Sequence, residues 1–305
     1  MRLPYNAQIL FNMLKYLFIS KCVLSLDLPD NDYRGIPQFE NFSVEQPPEG
    51  ASKLCHIKYD QDYRPNGKIL FSDENVALSR EEGGVCVMTP PLSDKQSSSI
   101  CFMNAPFYDS FIASRTSVEL SFQGETFTSS GMPVYNQLHL PFRIGLLNHD
   151  GLVLHASTAV LDGKCYLFLA PSGTGKSTHT SLWVKHLGAH KINDDKPVAR
   201  FIDGKLHASG NPWSGSTECY VNETVPVAGL CMLSQGPKNV IRRCDPLEAF
   251  TYLTRQLPLL HFEDSLYNKS IELLSRISKE IPVFHLSCLP DREAAEVSYS
   301  AMFTE

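Results

Sequence analysis

Eight residues, Ala170-Pro171-Ser172-Gly173-Thr174-Gly175-Lys176-Ser177, combine two glycines, a lysine and a hydroxyl at the spacing of a turn that wraps a polyphosphate. Backbone N–H groups can converge on an anion only where the chain bends sharply, which asks for glycine; the lysine adds a point charge toward the outer phosphates. A serine hydroxyl directly after the lysine suits Mg²⁺, and a helix starting there contributes partial positive charge. The first position is alanine where the pattern ordinarily has glycine. At the end of a strand φ is negative and alanine fits, whereas Gly173 and Gly175 stand where positive φ or close approach is needed. The residues expected to contact a nucleotide are Ser172, Gly173, Thr174, Gly175, Lys176, Ser177 and Thr178.

Phosphoryl transfer also needs a carboxylate for the metal, ordinarily at the end of a neighbouring strand, and Asp194-Asp195 fits that position. Two adjacent acids can divide labour, one holding Mg²⁺ beside Ser177 and the other accepting a proton from an attacking hydroxyl. Asp194 is assigned to the metal, and Asp194, Asp195 and His155 to catalysis; which acid is the base stays open. Taken singly, an Asn-Asp-Asp run before proline is also a turn signal, and a histidine on an apolar strand is also a core residue. Arg242, Arg243, Lys238 and Arg255 could neutralise charge on a transferred group, or be solvated surface.

Around these residues the pattern predicts a strand Leu152–Leu161, a tight turn at Asp162-Gly163, and a returning strand Lys164–Leu169. That register sets His155 opposite Ala170, at the mouth of the glycine-rich turn. A helix follows over Lys176–Leu187, stopped by Gly188, and then a short strand Ala189–Ile192 that ends in the acidic pair. A second hairpin, Pro197–Ile202 with Lys205–Ser209 across Asp203-Gly204, sets Asp194 opposite Trp213, so the acids face the loop Gly210–Gly215. Helices are expected from Asp245-Pro246 to about Leu257 and from Asp264 through Ile277, then a strand Val283–Ser287 and a final helical turn or two after Pro290-Asp291.

Upstream, short apolar runs (Ile57–Tyr59, Lys68–Phe71, Val85–Met88, Ser117–Phe122) alternate with turn residues and predict a β-rich region that ends near residue 135. Asp27–Gly50, rich in proline, reads as linker, and Ser93–Ser99 as an exposed loop. Three segments result: residues 1–50, an N-terminal helix and linker; 51–135, β-rich; and 136–305, carrying the glycine-rich turn. The stretch Ile9–Leu26 is interrupted by Asn12, Lys15 and Lys21, which favours an amphipathic or core helix over a signal or anchor.

With 305 residues, 43% of them hydrophobic and 20% charged, the chain has globular composition. A net charge of −6 with no basic run beyond Arg242-Arg243 argues against nucleic acid as partner. Nine scattered cysteines without C-x-x-C spacing read as buried thiols in a reducing compartment, so a cytoplasmic location is expected, and with the Ile9–Leu26 stretch interrupted no membrane partner is expected. An assembly of identical copies is left open.

Together His155, Ser172-Gly-x-Gly-Lys-Ser177 and Asp194-Asp195, in this order and spacing, resemble the C-terminal catalytic domain of HPr kinase/phosphorylase. That domain shares its core with the ATP-dependent phosphoenolpyruvate carboxykinases. The resemblance covers roughly residues 150–290. It implies an α/β fold: a P-loop nucleotide-binding core with a mixed sheet, preceded here by a smaller β-rich domain. It further implies catalytic roles for His155, Asp194 and Asp195, ATP and Mg²⁺ as cofactors held by Lys176 and Ser177, and a serine-like hydroxyl on a protein, peptide or small molecule as acceptor. The chain departs from that family at Ala170, at Thr178 where an acid is usual, and in having Gly210-Asn-Pro-Trp-Ser-Gly215 after the acids. Two other functions fit the same residues: carboxykinase chemistry on oxaloacetate, which needs a second metal, and an ATP-binding regulatory module without turnover. No LSGGQ-type signature of a transport ATPase is present.

Overall fold

The computed structural model describes residues 12–60, 63–72, 76–89, 99–104, 109–114, 118–122, 125–129, 131–215, 217–255 and 263–303. The chain divides into two compact units, the first reaching Gly145 and the second running from Leu146, with Ile19–Lys21 assigned to the second. The composition change near residue 135 falls inside a helix, Gly131–Leu147, that sequence patterning does not announce.

The N-terminal helix is a correction. Asn12–Ile19 and Cys22–Pro29 are neighbouring strands joined at Ser20 and Lys21, both at positive φ (53° and 59°). Leu24, Leu26 and Leu28 are buried at every second position, the spacing of a strand face. A short apolar run fits either period, and Ser-Lys lacks the glycine or asparagine that marks such a turn, so the sequence points the wrong way. Residues 9–11 of that expectation lie outside the described residues, as do 93–98 of the expected loop, 117 of the expected strand and 256–257 of the expected helix. The proline-rich linker is likewise corrected: it contains a helix, Asp30–Arg34, and a 3₁₀ helix, Pro37–Phe42, which buries Phe39 and Phe42.

A nine-stranded sheet organises this unit, in the order Ser43–Val44, Asn12–Ile19, Cys22–Pro29, Ser52–Tyr59, Asp109–Ser114, Ser99–Asn104, Gly84–Thr89, Ala77–Glu81, Lys68–Ser72. Val118–Phe122 and Glu125–Ser129 form a separate antiparallel pair.

The second unit is built around one twelve-residue strand, Thr224–Gln235. Its first half pairs antiparallel with Lys205–Ser209. Its second half pairs parallel with Lys164–Leu169 on one side and with Val283–Cys288 on the other. Outward from Lys164–Leu169 lie Ala156–Leu161 and then Asp194–Asp195; beyond Lys205–Ser209 lie Val198–Ile202 and Gly151–Val153. Val240–Arg243 pairs antiparallel with Val283–Cys288. The result is a mixed α/β arrangement.

Several local expectations change here. The single strand Leu152–Leu161 is two: Gly151–Val153 joins Val198–Ile202, while Ala156–Leu161 joins Lys164–Leu169, leaving Leu154 and His155 between them. The Asp162-Gly163 turn forms, with φ of 50° and 70°, and the ladder ends at Ala156 opposite Leu169, one step before His155 and Ala170. The strand expected over Ala189–Ile192 reduces to one bridge, His190 with Val160, and Asp194–Asp195 is the strand instead. Asp194 pairs with Ser157 and not with Trp213, because the second hairpin stops at Val198 opposite Ser209. Pro197, which has no N–H to donate, precedes that end. The helix after Asp245 is capped by that side chain, which accepts from Leu247 and Glu248 N–H. Asp264 is itself the first helical residue, preceded by Glu263, and the last helix runs three turns, Arg292–Phe303.

The helices Lys176–Leu187 and Arg292–Phe303 pack together against the sheet, around Trp183. Trp183 is fully buried, with ring centroids 5.0 Å from Tyr166, 5.3 Å from Phe168 and 5.8 Å from Tyr299. Its indole N–H donates to Ser298 Oγ at 2.9 Å. All nine cysteines are free, seven of them buried. Among the described residues no helix is long and apolar enough to cross a membrane.

Candidate functional site

The strand Lys164–Leu169 runs into the turn, and the helix begins at Lys176. Gly173 and Gly175 have φ of 77° and 114°, values an L side chain rarely adopts, while Ala170 is not at positive φ. Ala170 is instead fully buried in the core cluster with Phe168 and Trp183, so a methyl group there packs where glycine would leave space. Gly188 closes the helix at φ 78°.

Lys176 is nearly buried, and its ammonium donates to the carbonyl of Ala170 at 2.9 Å, with Pro171 O at 3.5 Å. Burial lowers its pKa, while the charges of Asp195 and Asp194 oppose the shift. Ser177 Oγ donates to Asp194 Oδ1 at 2.8 Å. Lys191 Nζ donates to the other carboxylate oxygen at 2.9 Å, and Asp194 is 4% exposed. Burial pushes the Asp194 carboxyl up, but hydrogen bonds from Ser157, Lys191 and Ser177 together outweigh it and hold the group below its ordinary value.

His155 Nε2 lies 3.3 Å from Asp195 Oδ1, and Lys196 Nζ 3.5 Å from Oδ2. The hydrogen bond from His155 lowers the Asp195 pKa; burial opposes it, and the Lys196 charge adds to the lowering. Both acids are therefore ionised at neutral pH. Any stability they gain from these partners is complete above the ordinary value of 3.8 and is lost as pH falls through the depressed folded values.

Buried polar side chains fix the backbone that carries the acids. Thr158 Oγ1 accepts from the N–H groups of Ile192 and Asn193, both at 3.0 Å, and donates to Asn193 O at 2.8 Å. Asn193 donates to Trp213 O at 2.9 Å and accepts from Lys196 N–H at 2.8 Å; Asn211 donates to Lys196 O at 2.6 Å and accepts from Trp213 N–H at 2.9 Å. The loop at 210–215 thus does meet the acidic pair, through amide side chains instead of strand register. A Cβ on Gly215 would stand 2.9 Å from Asp195 Cβ, so this glycine permits a close approach.

A cavity of about 430 Å³ is lined by His155, Asp194, Asp195, Lys176, Ser177 and Gly215, together with Ser172, Gly173, Gly175 and Thr178 of the turn and helix start. Thr174 lines a second cavity of about 640 Å³ that shares Gly173, Gly175 and Thr178 with the first and is walled by Leu182, Leu233 and Leu289. The four basic candidates Arg242, Arg243, Lys238 and Arg255 line neither cavity. Arg242 is bonded to Glu248, Nη1 to Oε2 at 2.7 Å. Ser157, Lys191, Asn193 and Asn211 are the residues that sequence patterning missed. Asn193 had a signal in the Asn-Asp-Asp run; the other three acquire their roles only through tertiary contacts.

The second cavity is also lined by His179, 3% exposed, whose pKa burial lowers to about 4. Its Nε2 is 3.1 Å from Ser298 Oγ, and its Nδ1 has no protein partner. An unfolded chain binds a proton there near 6.5 and the folded one only near 4, so acid favours unfolding across that window. Wild type should lose about 3 kcal/mol of stability from this group between those limits. His179→Gln, whose amide can still hydrogen-bond Ser298, should lack that part of the dependence when urea midpoints are compared at pH 7 and 4.5.

No protein-family model matches the sequence, and a comparison with curated proteins finds no match. Among solved structures the chain is similar to the HPr(Ser) kinase/phosphatase from Coxiella burnetii, at 13% identity and a TM-score of 0.31, covering 50% of this chain and 88% of that one. The likeness is distant, and the functional reading rests on the chain's own residues.

Proposed function

We propose that the chain is a Mg-ATP-dependent phosphotransferase that moves the γ-phosphate of ATP to a serine-like hydroxyl of a protein, peptide or small molecule. The observation that carries this reading is the convergence on one cavity of a strand–turn–helix cradle, a Ser177 hydroxyl bonded to Asp194, and an Asp195 bonded to His155. The donor set fits the implied ion. Ser177 Oγ and Asp194 Oδ1 are hard oxygen ligands 2.8 Å apart, the kind that Mg²⁺ accepts when phosphate oxygens complete its shell. When bound, the ion neutralises charge on the phosphates.

The chain's residues do the rest. The Lys176 ammonium, resting on Ala170 O, can swing to phosphate oxygens without leaving an uncompensated buried charge. Asp195 accepts the proton of the acceptor hydroxyl as that oxygen attacks the γ-phosphorus; the bond to the β–γ bridging oxygen breaks and ADP leaves. His155, with its proton on Nε2, orients the Asp195 carboxylate through Oδ1. The adjoining apolar cavity, meeting the first along Gly173, Gly175 and Thr178, supports the nucleotide reading because it offers room for base and ribose.

The test is incubation of the protein with γ-labelled ATP, Mg²⁺ and fractionated cell extract. The expected result is an acceptor carrying label as a hydroxyl phosphoester, lost when Mg²⁺ is chelated. Absence of both label transfer and Mg-ATP binding by calorimetry would sink the reading.

A further inference from the structure

Lys191 is not part of the glycine-rich turn or the acidic pair, yet it touches both. Its side chain is 14% exposed and that of Asp194 1%, so the two charges meet largely away from water. The ammonium has three protons and three acceptors: Asp194 Oδ2 at 2.9 Å, Ser177 O at 3.1 Å and Ser181 Oγ at 3.2 Å. It therefore ties the first turns of the helix Lys176–Leu187 to the strand Asp194–Asp195. The two oxygens of Asp194 are divided between partners, Oδ2 toward Lys191 and Oδ1 toward Ser177.

We propose that Lys191 is a positioning residue for the divalent ion: by holding Oδ2 it fixes the Asp194 carboxylate so that Oδ1 and the Ser177 hydroxyl stand together before metal and nucleotide arrive. The inference rests on the Mg-ATP reading above. Two effects of the lysine oppose each other. Its charge repels a nearby cation, while its three bonds restrict rotation of the carboxylate and the position of the Ser177 backbone. Orientation wins on this geometry, because the ammonium occupies Oδ2 and leaves Oδ1 to the Ser177 hydroxyl. Partners that orient a metal ligand in this way typically change metal affinity by about 10–100-fold when removed.

The experiment measures ATP binding by calorimetry at a series of Mg²⁺ concentrations, and in chelator, for wild type, Lys191→Met, Lys191→Gln and Lys191→Arg, each checked for folding by thermal melting. Lys191→Met and Lys191→Gln should bind metal-free ATP as wild type does but need about 10–100-fold more Mg²⁺ to tighten that binding. Lys191→Arg should recover most of the loss, since guanidinium can also span several acceptors. An unchanged Mg²⁺ midpoint in folded Met and Gln variants overturns the proposal, and so does a lower one, which would make the lysine a competitor of the ion. Equal weakening with and without Mg²⁺ also overturns it, pointing to a phosphate contact instead. Wild type that binds no ATP at all refutes the nucleotide reading itself, an outcome distinct from these.

Discussion

For the phosphotransferase proposed above, Asp195→Asn should slow transfer by about 10²–10⁴-fold while leaving Mg-ATP bound. The amide is close in size to the carboxylate and can keep the 3.3 Å contact with His155, so the cavity should hold its shape. What it cannot do is accept the hydroxyl proton. Nucleotide affinity should change little, because the ion's expected oxygens belong to Ser177 and Asp194. Single-turnover rates and calorimetric ATP affinities measured on the same preparation check both halves. A variant with wild-type turnover would remove Asp195 from the role of base, and one that lost ATP binding would place it among the ligands.

Trp183→Ala should destabilise the second unit by about 3–5 kcal/mol. The substitution empties the centre of a cluster that touches Tyr166, Phe168 and Tyr299, and it takes away the donor to Ser298 Oγ. Aromatic pairs of this kind contribute about 0.5–1.5 kcal/mol each beyond their buried area. A unit of this size should melt about 2–4 °C lower per kcal/mol, so a drop of roughly 10 °C is expected by calorimetry. Trp183→Phe keeps most of the ring contacts and should lose less than half as much. Since the indole stands on the helix that starts at Lys176, both variants also test whether the proposed ATP binding follows the stability of that helix.

The sequence was most legible where backbone chemistry is local. Asp162-Gly163 and Asp203-Gly204 adopt the positive φ that their residue types announce, and the strands they join follow in register. Lys176–Leu187 with its Gly188 stop is equally plain. Legibility failed where tertiary contacts decide. The turn at Ser20-Lys21 has no residue that favours its φ, so two strands resembled one helix. The strand Thr224–Gln235 carries no plain sequence signal because Pro226 and Gly229 interrupt its apolar run; its place between partners on both sides compensates for them. At the candidate site, the register that sets His155 opposite Ala170 runs one step past the end of the ladder, yet His155 lines the same cavity as the turn. Of the support beneath the acids only Asn193 shows in one dimension; Thr158 and Asn211 meet it only once the chain is folded.

That long shared strand bears on how the molecule can breathe. Leu230, Cys231 and Met232 are laced to neighbours on both flanks, and one of those neighbours leads straight into the glycine-rich turn. Backbone tied down from two directions opens only when the surrounding sheet comes apart, so the cradle is anchored in what should be the slowest-opening part of its unit.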